Sequence, residues 1–326
     1  MKFTKVFRRT AICFCLALGL ASPGHSASDY PAKPIQLVIG FSAGGPADAI
    51  ARILAQPLSK LLGTPVVIDN RPGADGVIAA TKVAQSSPNG YTLLLAPATH
   101  AINATLYKSA PYDSFKDFTP IVLLGDSPNI VAVHPSVPAK TVSELMNYAK
   151  IKTPELAYGS SSSITYLATE MLNMNAGVKL IRIPYKGAGQ ALPALLSGEV
   201  QVMVSSFVTL WPHVQSGKVR ALAVTSPSRL ASAPDIPTVA ESGQPGYSAT
   251  TWYGILAPAN TPPEVAERLD KAVKQILLDK SIVEQLAAQG LAIEKNITTP
   301  QAFKTYMSAE IEKWRRVIVS SGASVN

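Results

Sequence analysis

Five short stretches of this chain place polar groups where a small anion could be held. Ser160, Ser161, Ser162 and Ser163, with Thr165 close behind, line up hydroxyls just ahead of a helical run. Hydroxyls donate well to a carboxylate, and at a helix N-terminus they act beside free backbone amides. Capping alone accounts for one or two Ser or Thr at such a place, not for four in a row. A second stretch, Phe41-Ser42-Ala43-Gly44-Gly45, leads into a helix through Pro46. Its two glycines let backbone come close to a ligand, and the positive end of the helix dipole favours an anion. Asp48 sits just inside that helix, where it would repel a phosphate but accept from an amine, a hydroxyl or a water. Thr99-His100, Tyr185-Lys186-Gly187 and Ser205-Ser206 each follow an apolar run. His100 reads equally as a cleft residue and as a solvated loop residue. Lys186 reads as an exposed lysine.

Other chemistries lack their residues. The glycine turn has neither the Lys-Ser/Thr of a P-loop nor the spacing of a dinucleotide fingerprint. His134 and His213 have no metal-ligand spacing around them, so neither a metal nor a cofactor is expected. No G-x-S-x-G elbow with a partner histidine is present. A Ser160–His100 pair keeps a hydrolase open as the weakest reading, and the chain is expected not to be an enzyme.

The elements that must position these groups follow from the apolar pattern. A short strand over 35–39 meets the glycine turn, and Ile50, Ile53, Leu54, Leu58 and Leu61 then recur at helical spacing. Strand, glycine-bearing turn and helix repeat through 65–85, and a strand end again leads into a helix through 91–107. That rhythm predicts a parallel sheet covered on both faces. Strands are expected over 117–125 and 129–134, with Asp126-Ser127-Pro128 as a hinge. A second α/β region follows. It opens with the capping box Thr141-Val142-Ser143-Glu144 and has strands near 180–183, 200–204 and 221–225. The stretch 226–250, rich in Pro, Ser and Ala, reads as an extended surface connection. Two helices are expected to close the chain after a strand at 252–257. Arg52 and Arg71 are expected to pair with Asp48 or Asp75.

The first residues, with Lys2, Lys5, Arg8 and Arg9 before an apolar run, have the layout of a secretory signal ending near Ala27. Both cysteines, Cys13 and Cys15, fall within it. The exported chain would therefore carry no thiol, and its formal charge drops from +8 to about +4 once those four positives are removed. That charge is too small for a nucleic-acid surface, so no nucleic acid is expected, and it modestly favours anionic ligands.

Taken in order, FSAGGPADAIAR, VVIDNRPGADG, SPNGYTLLLAP, PYKGAGQALPALLSGEVQVM, APDIPTVAESGQPGY and WYGILAPANTPPEV resemble the tripartite tricarboxylate transporter receptors, the Bug family of extracytoplasmic solute receptors. The resemblance runs from about Tyr30 to the C-terminus. It implies an α/β, two-domain periplasmic-binding-protein fold (Venus flytrap, type II-like), each domain a mainly parallel sheet flanked by helices. Residues 1–27 would be the signal, 28–125 plus 251–326 the first domain and 126–250 the second. The ligand, a small di- or tricarboxylate or related organic acid, would lie in the interdomain cleft at the strand carboxyl ends. Its contacts would come from Phe41, Ala43, Gly44, Gly45, Asp48, Thr99, His100, Ser160, Ser161, Ser162, Thr165, Tyr185, Gly187, Ser205 and Ser206. The implied partner is a membrane permease of the tripartite tricarboxylate transporter, with presentation to a sensor kinase as the alternative, and the receptor would be a periplasmic monomer. One stretch departs from the family pattern. Where a G-S-x-G-x-G-[ST] loop and a His-Leu are usual, this chain has Ser160 to Ser163 and Tyr166, aligned through Glu170, so that Thr165 stands at the family's hydroxyl position. Mass spectrometry of exported material should show a chain beginning at or near Ala27 or Ser28 with no titratable thiol; an intact N-terminus on that material would contradict the signal reading.

Overall fold

A computed structural model describes residues 30–324. The expected signal segment, with Cys13 and Cys15, lies outside the described residues. From Pro31 onward the chain forms one compact unit built on two sheets.

The first sheet grows from β1 (Ile35–Ile39), whose parallel neighbours are β2 (Val66–Asn70) and β3 (Thr92–Pro97). Between β1 and β2 runs α1 (Pro46–Leu62), with proline in its first turn and Gly63 at φ 70° ending it. Its buried face carries Ile50, Leu54 and Leu58, as the spacing requires. A short 3-10 turn, Ala74–Gly76, leads into α2 (Val77–Ala84), and α3 (Thr99–Leu106) follows β3 directly. β4 (Phe118–Ser127) completes this half.

After Pro128 the chain continues as β5 (Asn129–Val133), which belongs to the second sheet. That sheet is built from α4 (Val142–Ile151), β6 (Ala157–Ser160), α5 (Ser163–Ala176), β7 (Ile181–Pro184), α6 (Ala188–Ser197), β8 (Val202–Ser206), α7 (Phe207–Gln215) and β9 (Arg220–Val224), in the strand order β7-β6-β8-β5-β9. The chain returns through β10 (Thr251–Pro258) to the middle of the first sheet. It ends with α8 (Pro263–Ile276), α9 (Lys280–Ala288), the two-residue β11 (Ala292–Ile293) and α10 (Pro300–Ser321). The first sheet then reads β11-β4-β10-β3-β1-β2.

Both sheets hold the expected parallel βα strands, and each also carries strands that run the other way. β10 is antiparallel to β3 and β4, and β5 is antiparallel to β8 and β9. The reason is geometric. A strand arriving from the other sheet enters at the end where the βα strands finish, and so must run against them.

Three expectations are revised. The break between β4 and β5 is Pro128 alone, since β4 extends through Ser127. Helix α9 and strand β11 intervene between the two expected closing helices; the Asp279 carboxylate accepts from Ser281 N–H and starts α9 anew. The stretch 226–250 is irregular but does not simply cover the surface. Val239 and Tyr247 are buried in it, and the Tyr247 hydroxyl donates to the Ala168 carbonyl of α5 at 2.9 Å.

The returning strand is held by α10. Trp252 and Phe303 are fully buried and meet edge to face at 5.8 Å between centroids. Gly254 leaves room for that ring: a Cβ there would stand 2.3 Å from Phe303 Cζ and 3.1 Å from the Val122 carbonyl oxygen. Gly254→Ala should therefore destabilise the protein by about 1–3 kcal/mol through overpacking. Urea unfolding should show a lower midpoint at unchanged slope, and a midpoint equal to the parent's would mean that α10 yields freely.

Candidate functional site

The β1–α1 turn is closed by its own carboxylate. Gly44, at φ +81°, donates its N–H to Asp48 Oδ2 at 2.9 Å. Arg52, one helical turn on, grips the same carboxylate through Nε at 2.8 Å and Nη2 at 3.1 Å. Asn70 at the end of β2 donates to both Asp48 Oδ1 and the Phe41 carbonyl, each at 3.1 Å. The bonds from Arg52 hold the Asp48 carboxyl at about 2, with burial opposing and the Gly44 and Asn70 bonds assisting. Asp48 thus shapes the turn, and the acceptor role toward a ligand that its position suggested is taken up internally. Arg52 pairs with Asp48 as expected, whereas Arg71 pairs with Asp69 rather than Asp75. Ala43 and Gly44 are exposed and Gly45 is half-buried at the start of α1.

Behind this turn lies a small recess at the carboxyl ends of β1 and β3. Phe41, Asp75, Gly76, Thr99, His100 and Asn103 contribute to its walls. Thr99 and His100 are both buried, at 3% exposure. The His100 ring stands edge-on to Phe118 at 4.7 Å and its Nε2 donates to the Ser114 carbonyl at 2.9 Å. Burial holds its imidazole at about 4, with the Ser114 bond opposing. His100 is therefore a neutral wall residue, and the solvated-loop reading is corrected: the Tyr112 and Phe118 rings pack against it.

On the second sheet the serine loop caps α5. Ser162 and Thr165 form a reciprocal capping box. Thr165 Oγ1 accepts from the N–H groups of Ser161 at 3.1 Å and Ser162 at 3.2 Å, and donates to the Ser162 carbonyl. So Thr165 Oγ1 is committed to the loop, which corrects its expected place among the donors to a ligand. Ser160 is buried at the end of β6 and its Oγ accepts from Arg182 Nε at 3.0 Å. Ser161 and Ser162 are half-buried.

Type and spacing alone do not single out Arg182. It lies in β7, its guanidinium 3.7 Å from the centre of the Tyr166 ring, a cation–π stack. Its terminal nitrogens have no carboxylate or other hydrogen-bond partner among the described residues. The available signal was one arginine inside the otherwise apolar run Ile181-Arg182-Ile183. By type and spacing Asp75 likewise reads only as an ion-pair partner. Its Oδ2 instead accepts from the Ser163 N–H, at the first position of α5, at 2.8 Å.

The remaining candidates sit at the carboxyl ends of second-sheet strands. The Tyr185 hydroxyl donates to Glu199 Oε1 at 3.1 Å, and Gly187 precedes α6 with open space where a side chain would be. Ser205 is buried, and Ser206 Oγ pairs with Thr209 Oγ1 at 2.7 Å at the start of α7. Among the described residues no hydrogen bond joins Tyr185, Gly187, Ser205 or Ser206 to the first sheet. The structure thus brings Phe41, Thr99 and His100 to one recess and links it to the serine loop through Asp75. No group of three His, Cys, Asp or Glu among the described residues could hold a metal ion. No helix among them is long and apolar enough to cross a membrane.

Two α/β sheets joined by crossing strands, each with its βα turns at the junction, define the two-domain periplasmic-binding-protein fold. The model of the tripartite tricarboxylate transporter family receptor matches residues 50–323, and the chain belongs to that family. Protein BugT of Bordetella pertussis is 35% identical over 316 residues, 96% of either chain. The solved structure of Rpa4515 of R. palustris with adipate is 34% identical at a TM-score of 0.82, covering 91% of this chain and 99% of that one. MatC (Rpa3494) of Rhodopseudomonas palustris with bound malate is 31% identical at 0.79, covering 89% and 100%.

The buried histidine sets a pH dependence with a definite sign. His100 titrates near 4 when folded and near 6.5 when unfolded, so between these values only the unfolded chain binds the proton. Its contribution is full above pH 6.5 and is lost as pH falls toward 4, a change on the order of 3 kcal/mol. Chemical unfolding of parent and His100→Gln across that window should show the parent losing more stability than the variant. Parallel curves would mean that His100 protonates equally in both states.

Proposed function

We propose that this protein is a periplasmic receptor that captures a small carboxylate between its two domains and delivers it to a tripartite tricarboxylate-type membrane permease. The first domain would comprise 28–125 with 251–326 and the second 126–250. The crossings at Pro128 and near Thr250 would serve as hinges, and the first 27 residues as the export signal. In this reading the exposed backbone of Ala43, Gly44 and Gly45, the recess wall of Phe41 and Thr99, and the turns at Ser161, Gly187 and Ser206 surround the ligand. The protein binds and releases; it does not transform its ligand.

One observation carries the reading beyond family membership. Arg182 is a fixed cation whose Nε is spent on Ser160 and whose face is spent on Tyr166, while its terminal nitrogens are unclaimed. A guanidinium held in this way meets a carboxylate with little loss of side-chain freedom. The relatives solved with adipate and with malate each hold a small carboxylate, which supports the same ligand class here.

A thermal-shift screen over mono-, di- and tricarboxylates tests this. A ligand bound only by the folded state raises the melting temperature with its concentration. At least one carboxylate should do so in the parent, and Arg182→Gln should weaken its calorimetric affinity about tenfold or more. No shift with any carboxylate would count against the ligand class. An unchanged affinity in a folded Arg182→Gln would move the anchor elsewhere.

A further inference from the structure

Asp75 occupies an unusual position for an acid. It lies in the turn after β2, between Gly73 and Gly76, and both it and Ala74 hold left-handed backbone, at φ 53° and φ 46°. Residues with a side chain rarely adopt that conformation, and where they do the surroundings must enforce it. The Asn103 side chain helps by donating to the Asp75 carbonyl at 3.1 Å. The result is a carboxylate aimed out of the first-sheet recess at a helix of the second sheet, 88 residues away, where Oδ2 takes the Ser163 N–H at 2.8 Å. No cation pairs with it among the described residues. Burial pushes its carboxyl above the ordinary range, with the Ser163 contacts opposing.

The start of α5 is where the sequence suggests a ligand carboxylate, yet its donors are largely committed. Ser161 and Ser162 N–H go to Thr165 Oγ1, and the capping box takes the Thr165 N–H. Asp75 takes the Ser163 N–H. Ser163 Oγ, on a residue 6% exposed, lies near the same carboxylate without a hydrogen bond of ordinary geometry. Burial raises the Tyr107 hydroxyl, Asp75 adds to that and Arg182 opposes it, so one group at the end of α3 feels both charges.

We propose that Asp75 is a specificity-determining residue that fills the anion seat of α5 with the protein's own carboxylate. The cleft then takes a ligand with one carboxylate and, facing Asp75, a hydrogen-bond-donating group such as an amine or hydroxyl. A second carboxylate on the ligand would meet Asp75 as a like charge and find the Ser163 amide already taken. This rests on the carboxylate-receptor reading above and narrows its ligand class.

Titration calorimetry on matched acids tests it: succinate, glutarate and adipate against 4-aminobutyrate, 5-aminopentanoate and 6-aminohexanoate. At the chain length that binds best, the parent should prefer the amino acid to the dicarboxylate by about tenfold or more. Asp75→Asn keeps the shape and removes the charge, and should shift that ratio about tenfold toward the dicarboxylate. Asp75→Gly suits the left-handed backbone and should shift it in the same direction, so the test survives poor folding of the first variant. A parent that prefers the dicarboxylate, or a ratio unchanged within threefold in the variants, overturns the role of Asp75 while leaving a carboxylate receptor. Failure of every acid to bind parent and variants overturns the carboxylate reading itself, and this inference with it.

Discussion

A chain that leaves one sheet to join another must enter the second at the end facing the first. Every other feature of this molecule depends on that constraint. β4 runs out of the first sheet and, past Pro128, becomes β5, the reversed strand of the second. β10 makes the return journey and is reversed in the first. The remaining long strands all point toward the junction, so the turns that start α1, α3, α5, α6 and α7 gather there. Five helix N-termini then lie around one junction, and the positive ends of their dipoles make it hospitable to anions. The Trp252–Phe303 contact and the missing side chain at Gly254 keep the returning strand in place beneath α10.

Much of this order is legible in the sequence because it is local. Apolar runs of strand length, glycine-bearing turns and the 3.6-residue spacing of α1 announce each βα unit without reference to the rest of the chain. Reversal of β5 and β10 is not legible in this way, since the residues of a buried strand look the same in either direction. Short elements fail for a related reason. β11 has two residues, too few to show alternation, and α9 follows α8 closely enough for one apolar stripe to cover both.

The candidate site divides along the same line. Residue types were readable, but their partners were not. Four serines and a threonine promise five donors, yet Ser160 accepts from an arginine 22 positions away and Thr165 turns back on its own loop. A hydroxyl both donates and accepts, so its role depends on which neighbour the fold supplies. His100 shows the same limit. A histidine after a strand end can face solvent or core, and the Phe118 ring, which decides the matter, lies 18 positions on. Arg182 escaped notice because a strand residue's outlook depends on its register, here opposite Tyr158.

Two aspartates at helix N-termini show how environment separates identical groups. Asp48 serves its own helix and is met by Arg52, Asn70 and the Gly44 amide, so its charge is stabilised and its carboxyl lies low, at about 2. Asp75 serves a helix of the other sheet, has one amide contact and no cation, and its carboxyl is pushed up by burial. The first arrangement is cheap and closes a turn. The second combines desolvation with left-handed backbone at two residues. The Asp75 carbonyl is held by the Asn103 side chain of the first half, and its carboxylate by the Ser163 amide of the second. In the receptor proposed above, parting of the two sheets would break the Ser163 contact, which ties the conformation of Asp75 to whatever else contends for the start of α5.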